Sequence, residues 1–221
     1  MSSHTHITGN PNKDLELYIE THTSPEDELL YELRRQTHLK VLRPRMVSGQ
    51  VQGQLLTMLC RMIQPKTVLE IGTFTGYSAI CMARGMGSAA HLHTIERDDE
   101  LETFIRQYIC KAGLQNRIHL HIGDALNIIK TLNASFDLVF IDGDKREYPE
   151  YYKMVIEKMN PGGYILADNI LWNGKVIDPE AQNDSYTKGI LAFNKMVKED
   201  PRVEQVILPM RDGLMMIRVK D

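Results

Sequence analysis

The sequence predicts an α/β fold built on a mostly parallel sheet with an antiparallel hairpin at its end. From Thr67 onward, short apolar runs alternate with amphipathic segments, which is typical of parallel strands covered by helices on both faces. After a predicted helix at 188–198, two apolar runs follow, joined by Met-Arg-Asp-Gly. Asp212-Gly213 favours a tight hairpin there. Five parallel strands and two hairpin strands make seven.

The first segment, residues 1–64, is predicted to be helical and to serve as a lid or dimerisation segment. Ser-Pro-Glu-Asp at 24–27 is a capping signal, and leucines follow at near-helical spacing: Leu29, Leu30, Leu33 and Leu39. A second helix is expected from about Ser48 to Ile63, before Pro65. Residues 65–221 would form the α/β core of a single domain spanning 1–221, because this length suits one sizeable core.

The five parallel strands are predicted at TVLEI, HLHTIE, IHLHI, FDLVFI and GYILAD. Right-handed crossovers between such strands place their carboxyl ends on one edge of the sheet. Doubly wound sheets bind ligands at that edge, so the residues that follow the strands are the candidates for a site.

Composition narrows the classes of partner. The net charge is −3 with both signs interspersed, which provides neither a basic nucleic-acid footprint nor a polybasic membrane anchor. The three cysteines are widely spaced in apolar surroundings, so no disulfide framework or thiolate metal site is indicated. No stretch approaches a membrane-spanning length. A cytoplasmic protein is expected.

A glycine-containing turn, EIGTFTGYS, follows the first strand. Gly72 and Gly76 allow a sharp turn and close approach of a ligand, and the next helix offers free amides to anionic groups. The spacing departs from G-x-G-x-x-G, which favours another nucleoside over a pyrophosphate. A turn that binds nothing is the alternative.

Acidic residues stand at the next strand ends. Glu96 is placed to accept hydrogen bonds from both ribose hydroxyls. The alternative is a helix-capping or surface charge, since Asp98 and Asp99 begin the next helix, but the position at the end of a strand favours the ribose. Asp124, in GDAL, is placed either to border an adenine or to cap a helix.

Asp142, Asp168 and Asn169 follow the fourth and fifth strands. Two carboxylates and one amide oxygen are hard ligands, suited to Mg²⁺, Ca²⁺ or Mn²⁺. The alternative is that Asp168-Asn169 only caps a turn. A cation with open positions could bind two vicinal oxygens of a substrate and lower the pKa of one hydroxyl. Lys145 would then be the base, unless it is an ordinary solvated loop residue like its charged neighbour Arg146.

Four histidines alternate on two predicted neighbouring strands: His91, His93, His119 and His121. A histidine metal site is one interpretation of this pattern. However, the four residues lie early in their strands, at the edge of the sheet opposite the ligand-binding edge. Partly exposed or hydrogen-bonded histidines are also commoner than metal ligands. Trp172 could wall an aromatic substrate or belong to the core.

The runs VLEIGTFTGYS, FIDGDK and ILADNILWNG, with Glu96 between the first two, resemble the cation-dependent class I O-methyltransferases of the caffeoyl-CoA and catechol type. The resemblance extends from about Arg45 to the end of the chain and suggests a bacterial member. It implies a Rossmann-like class I methyltransferase fold, with a seven-stranded sheet, that binds S-adenosylmethionine.

The resemblance also implies residue roles. The cofactor would be bordered by Val47, Glu70, Gly72, Thr73, Ser78, Glu96, Ala125, Asp142 and Asp144. Mg²⁺, or Ca²⁺ or Mn²⁺, would be held by Asp142, Asp168 and Asn169. Lys145 and Asp142 would be catalytic, and the substrate would meet Met46, Trp172 and Asn173.

The methyl acceptor that the resemblance implies is a vicinal-dihydroxy phenolic small molecule, either catechol-like or hydroxycinnamoyl. A homodimer is also expected. The segment DPEAQNDSYTKG is short and acidic, which counts against a CoA ester. Two alternatives stay open: methylation of a hydroxylated uridine in tRNA, and a nucleotide-binding Rossmann-like protein that is not a methyltransferase.

Overall fold

The computed structural model describes residues 11–221, with side chains from Asp14 onward, so the first ten residues of the predicted helical segment lie outside it. Its centre is a seven-stranded sheet in the order β3-β2-β1-β4-β5-β7-β6. The strands are β1 (Thr67–Ile71), β2 (His91–Glu96), β3 (Ile118–Ile122), β4 (Phe136–Ile141), β5 (Met159–Asp168), β6 (Val203–Leu208) and β7 (Leu214–Val219). Strands β1 to β5 are parallel, and β7 is antiparallel to both β5 and β6. The predicted fold is confirmed.

Helices cover both faces of this sheet. They are α1 (Pro11–His22), α2 (Glu28–Lys40), α3 (Gly49–Ile63), α4 (Tyr77–Gly85), α5 (Glu102–Lys111), α6 (Ala125–Thr131), α7 (Tyr148–Ile156) and α8 (Ser185–Glu199). Apolar side chains of α2 to α5 form one core layer, and those of α6 to α8 form the other. Within 11–221, no helix is long and apolar enough to cross a bilayer.

The first four strands begin and end as predicted, but β5 starts at Met159, four residues before the predicted Gly163. A bulge separates its two parts: Met159 pairs with Phe136, whereas Tyr164 pairs with Leu138. Gly162, at φ +74°, lies in the extra stretch. The prediction missed it because Asn-Pro-Gly-Gly is typical of a turn, and only pairing with β4 makes it a strand.

The helical segment at the N-terminus agrees with its capping signal, because Asp27 Oδ1 accepts a hydrogen bond of 3.0 Å from the amide of Leu30. Leu30 and Leu33 are buried, whereas Leu39 is 66% exposed. Six residues rotate a helix by about 600°, so Leu39 points away from the face that Leu33 buries. Further exposed apolar side chains on α1 to α3 are Leu15, Leu17, Tyr18, Ile19, Tyr31, Met58 and Met62. Dimerisation through this segment stays a prediction.

The hairpin of β6 and β7 is present, but its connection is longer than a two-residue turn, although the amide of Gly213 donates to the carbonyl of Met210 at 2.9 Å within it. Leu208 pairs with Leu214, so the loop comprises the five residues 209–213. Arg211 (φ +51°) and Gly213 (φ +85°) both adopt left-handed conformations in it. The loop extends beyond the strands to α3, where the Arg211 guanidinium donates to the carbonyl of Ser48. This tertiary contact overrides the two-residue turn that Asp-Gly favours.

The four histidines form a column across β2 and β3. His91 Nδ1 lies 3.0 Å from His119 Nε2, and His93 Nδ1 lies 3.1 Å from His121 Nε2. The His93 and His119 rings are 5.1 Å apart. The expectation of hydrogen-bonded histidines is therefore confirmed, and one ring of each pair is the donor.

This column predicts a loss of stability in acid. Burial, and then the neighbouring imidazoles, lower the pKa of His93 from 6.5 to about 4. Between those values the unfolded chain binds a proton that the folded chain does not, so the free energy of unfolding falls as pH drops. We expect His93→Gln to lose less stability than the natural chain when urea unfolding is compared at pH 6.5 and pH 4.

His38→Gln, on an exposed part of α2, is the control and should follow the natural chain. Parallel pH profiles for the natural chain and His93→Gln would contradict the prediction.

Candidate active site

A cavity of about 1000 Å³ opens at the carboxyl edge of the parallel strands, beside the 3-10 turn Pro44–Met46. It lies where the strand order reverses, with β1 between β2 and β4, which is the usual ligand position in such sheets. Most of the predicted site residues line it: Met46, Gly72, Glu96, Ala125, Asp142, Asp144, Lys145, Asp168, Asn169, Trp172 and Asn173.

The glycine turn brings the ends of β1 and β4 together. Gly72 has φ +99°, and a Cβ placed on it would lie 2.4 Å from the carbonyl oxygen of Asp142. The amide of Asp142 donates to the Ile71 carbonyl at 2.8 Å. Any side chain at position 72 would push the two strand ends apart, so this glycine places Asp142.

Four predicted cofactor residues are buried outside the cavity lining: Val47, Glu70, Thr73 and Ser78. Glu70 accepts hydrogen bonds of 2.5 Å from Ser78 Oγ and from Thr94 Oγ1, and Thr94 in turn contacts Thr73 Oγ1 at 2.5 Å. Burial raises the pKa of Glu70 to about 8, against the effect of the two hydroxyls. These residues brace β1 against β2 and α4. Direct contact of Val47, Glu70, Thr73 or Ser78 with a cofactor stays a prediction.

Glu96 closes β2 with both carboxylate oxygens held. Oε2 accepts from the amide of Phe74 at 2.6 Å, and Oε1 accepts from the amide of Asp98 at 2.9 Å. Burial raises its pKa, and the carboxylate is kept in one orientation toward the cavity. Nearby, Asp124 Oδ1 caps α6 by accepting from the amide of Asn127 at 3.0 Å, so the capping interpretation of Asp124 is confirmed.

The predicted metal ligands meet at the ends of β4 and β5. Burial raises the pKa of Asp142, the charge of Asp168 raises it further, and Lys145 opposes both. Asp168 is 3% exposed. Its Oδ2 accepts from Gln52 Nε2 at 2.8 Å, whereas its buried Oδ1 has no hydrogen-bond partner among residues 11–221.

These donors fit a hard divalent cation, because a buried carboxylate oxygen without a partner is costly unless something binds it. Asn169, at φ +60°, also lines the cavity, and its amide oxygen would be the third oxygen donor. Across the described part of the chain, no group of three or more His, Cys, Asp or Glu side chains is arranged to hold a metal. A cation site here would therefore need the amide of Asn169 as well as the two carboxylates.

Lys145 is 7% exposed and reaches back to the same place. Its Nζ donates to Asp142 Oδ1 at 2.8 Å and to Tyr148 Oη at 2.6 Å. Tyr148 Oη lies 3.0 Å from the carbonyls of both Ile141 and Asp168. Burial raises the pKa of Tyr148 well above its usual range, so the phenol keeps its proton and orients the lysine.

The turn that carries Lys145 is pressed from outside by α8. A Cβ placed on Gly189 would lie 2.2 Å from the carbonyl oxygen of Lys145, so only glycine permits this approach. Sequence reasoning missed Gly189 and Tyr148. The spacing of three residues from Lys145 to Tyr148 was the available signal for the tyrosine.

An aromatic wall borders the cavity on the side of the segment after β5. Trp172 stacks on Tyr186, with ring centroids 5.9 Å apart, and the Arg146 guanidinium lies 4.9 Å from the Tyr186 ring. Asp144, which was predicted to border the cofactor, pairs with Arg146, and this hydrogen bond holds its pKa low. Tyr186 was missed, although it is the one aromatic residue in the polar segment 178–189.

The sheet order, the antiparallel last strand and the cavity at the strand ends define a Rossmann-like class I methyltransferase fold. The sequence profile described as O-methyltransferase matches residues 20–220, so the chain belongs to the O-methyltransferase family. It is an O-methyltransferase, as the resemblance implied, and the alternative of a nucleotide-binding protein without this activity is wrong.

Named relatives agree with this membership. The catechol O-methyltransferase of Niastella koreensis is 35% identical over 178 residues, which cover 76% of this chain and 80% of that protein. Caffeoyl-CoA O-methyltransferase 1 of Eucalyptus globulus is 36% identical over 183 residues, covering 78% and 74%. Among solved structures, the O-methyltransferase TomG from Streptomyces achromogenes, involved in tomaymycin synthesis and in complex with SAM, has a TM-score of 0.88 at 30% identity, covering 94% and 96%.

The close approach at Gly72 yields a stability prediction. Gly113 has φ +69° with nothing within 4 Å of its added Cβ, so Gly113→Ala should lower the free energy of unfolding by about 1–2 kcal/mol from backbone strain alone. Gly72→Ala should cost roughly a further 1–3 kcal/mol, since it also overpacks the strand ends. Urea unfolding of both variants checks this, and equal losses would contradict it.

Proposed function

We propose that this O-methyltransferase transfers a methyl group from S-adenosylmethionine to one hydroxyl of a vicinal-dihydroxy phenolic small molecule, with the help of a divalent cation. The observation that carries the proposal is the group at the ends of β4 and β5. There, a buried lysine bound to Asp142 lies beside an Asp168 carboxylate whose Oδ1 has no hydrogen-bond partner in the described part of the chain.

For the cofactor, the support is a cavity of suitable chemistry and a relative solved in complex with SAM. Bound S-adenosylmethionine supplies an electrophilic methyl group. In this chain, Glu96 would accept hydrogen bonds from the ribose hydroxyls, because two backbone amides fix the orientation of its carboxylate. Gly72 would let the backbone come close to the ligand, and Ala125 and Asp144 would border it.

For the cation, Mg²⁺ is proposed on the chemistry of the donors, with Ca²⁺ and Mn²⁺ as alternatives. Asp142, Asp168 and Asn169 would hold it. Such a cation lowers the pKa of a bound hydroxyl and orients two neighbouring oxygens. Asp142 lies between Lys145 and Asp168. Its carboxylate would therefore face two positive charges, the lysine on one side and the cation on the other.

Lys145 is proposed to take the proton of the reacting hydroxyl at Nζ. The ammonium must first lose its own proton, after which the nitrogen lone pair accepts the hydroxyl proton. Asp142 Oδ1 and Tyr148 Oη hold the nitrogen from two sides, so its position relative to the acceptor is fixed by side chains that themselves cannot rotate freely. The oxygen left by ionisation would attack the methyl carbon in line, and the bond from that carbon to the sulfonium sulfur would break as S-adenosylhomocysteine leaves.

The acceptor is proposed to be phenolic because Trp172 and Tyr186 form a flat aromatic wall beside the cation ligands. The relatives named as acting on catechol and on caffeoyl-CoA support the same substrate class. Met46 and Asn173 would contact the acceptor from the other rims. We also propose a homodimer through the N-terminal helices, whose exposed apolar side chains would then be covered.

The function is tested by an acceptor screen with methyl-labelled S-adenosylmethionine. Catechols, flavonoids, caffeoyl esters with and without CoA, and undermodified tRNA are each incubated with and without Mg²⁺. Label on a catechol-type hydroxyl that needs Mg²⁺ is the expected result. Label on tRNA alone would overturn the small-molecule assignment.

In the same assay, Asp168→Ala should abolish the stimulation by Mg²⁺, because it removes an anionic ligand. Asp99→Ala, an exposed acid outside the cavity, should keep it. Full transfer by Asp168→Ala in the presence of a chelator would rule out the role of the cation.

Replacing Lys145 tests the proton transfer. Lys145→Met should lower kcat by about 10²–10⁴-fold, the usual worth of a positioned base. Lys153→Met is a matched control on the following helix, because Lys153 also pairs with an acid three residues away, Glu150, but is exposed. Steady-state kinetics decide the matter, and similar kcat values for the two variants would contradict the role of Lys145.

A further inference from the structure

We propose that Gln52 is a positioning residue for the Asp168 carboxylate and that Arg211 holds Gln52 in the orientation this requires. The proposal rests on the cation-dependent function above and deepens it. It concerns three residues from distant parts of the chain: Gln52 lies on α3, Asp168 ends β5, and Arg211 lies in the loop between β6 and β7.

The contacts form a chain. Gln52 is fully buried, and its Nε2 donates to Asp168 Oδ2 at 2.8 Å. Its Oε1 accepts from Arg211 Nη1, and the same nitrogen donates to the Ser48 carbonyl one turn earlier. Both ends of one amide are therefore occupied, the donor by a carboxylate and the acceptor by a guanidinium.

This arrangement fixes which way the amide faces. Nitrogen and oxygen exchange places when an amide flips, and the flipped Gln52 would set Oε1 against Asp168 Oδ2 and its NH₂ group against the guanidinium. The first contact joins two acceptors and the second joins two donors, so both oppose the flip. Arg211 thus selects the orientation in which Gln52 donates to Asp168.

The consequence lies at the cation ligands. With Oδ2 held by Gln52, the Asp168 carboxylate cannot turn about its own axis, and Oδ1 is left without a partner among residues 11–221. A carboxylate whose second oxygen is engaged presents one oxygen in one direction, which is the usual task of groups that orient metal ligands. Ligand groups fixed in this way need no reordering when a cation arrives.

The experiment measures Mn²⁺ binding to the full chain by the loss of the free-ion EPR signal, without acceptor. Gln52→Met keeps the length and volume of the side chain but cannot donate. It should weaken Mn²⁺ affinity by about 10–100-fold, the usual effect of losing such a partner. In methyl transfer, the Mg²⁺ concentration for half-maximal rate should rise similarly, while kcat at saturating Mg²⁺ changes much less.

Thr57→Val is the matched control on the same helix. Thr57 is also buried, and its hydroxyl donates to the Cys81 carbonyl at 3.0 Å, away from Asp168. This variant loses a buried hydrogen bond of α3 and should keep the natural Mn²⁺ affinity. Equal weakening in both variants would show that α3 packing matters and would overturn the positioning role of Gln52.

Arg211 is exposed, so Arg211→Met should fold, and it should weaken Mn²⁺ affinity only while Gln52 is present. A double-mutant cycle shows this as strong non-additivity. If Arg211→Met has its full effect in the Gln52→Met background, Arg211 acts on Asp142 directly and its part of the proposal is overturned.

Asp168→Ala separates this proposal from the function on which it rests. If Asp168→Ala and the natural chain bind Mn²⁺ equally, the cation role itself fails, and the positioning role fails with it. If Asp168→Ala loses Mn²⁺ but Gln52→Met binds as the natural chain does, only the positioning role is overturned.

Discussion

A lysine ammonium buried between Asp142 and Tyr148 is the constraint on which the site depends. A charged amine at 7% exposure is tolerated only when its hydrogen-bond donors are engaged. Asp142 and Tyr148 satisfy that need at 2.8 and 2.6 Å, and Tyr148 is tied in turn to the carbonyls that end β4 and β5. The chemistry of the site and the stability of two strand ends therefore rest on the same contacts.

Glycines make those contacts geometrically possible. Gly72 lets the end of β1 touch the backbone of Asp142, and Gly189 lets α8 press on the backbone of Lys145. Neither glycine carries chemistry of its own, yet each sets where a charged neighbour lies. Because protein interiors are close-packed, a methyl group added at either position would displace the neighbouring charged residue rather than fit into empty space.

The two sides of the cavity differ in what holds them. On the side of Asp168, the buried Gln52 amide of α3 holds the carboxylate, and Arg211 of the β6–β7 loop holds that amide. On the other side, Trp172, Tyr186 and Arg146 stack with partly exposed faces. The charged side of the cavity is therefore rigid, and the aromatic side is more open. This difference suits a site in which the reacting oxygens must be placed accurately while the rest of the acceptor can vary among related methyltransferases.

The amino-acid sequence by itself determined the strands β1 to β4, the alternation of layers, the α2 cap at Asp27 and the edge at which Asp142, Asp168 and Glu96 gather. These follow from local periodicity and from the rule that parallel strands end together. Only the tertiary structure decided the bulge that extends β5 and the five-residue loop at Arg211. It also decided the contacts that Tyr148, Gly189, Tyr186 and Gln52 make at the site. Gln52 and Asp168 are separated by 116 residues, and no local pattern marks a side chain whose importance comes from a partner that only folding brings near.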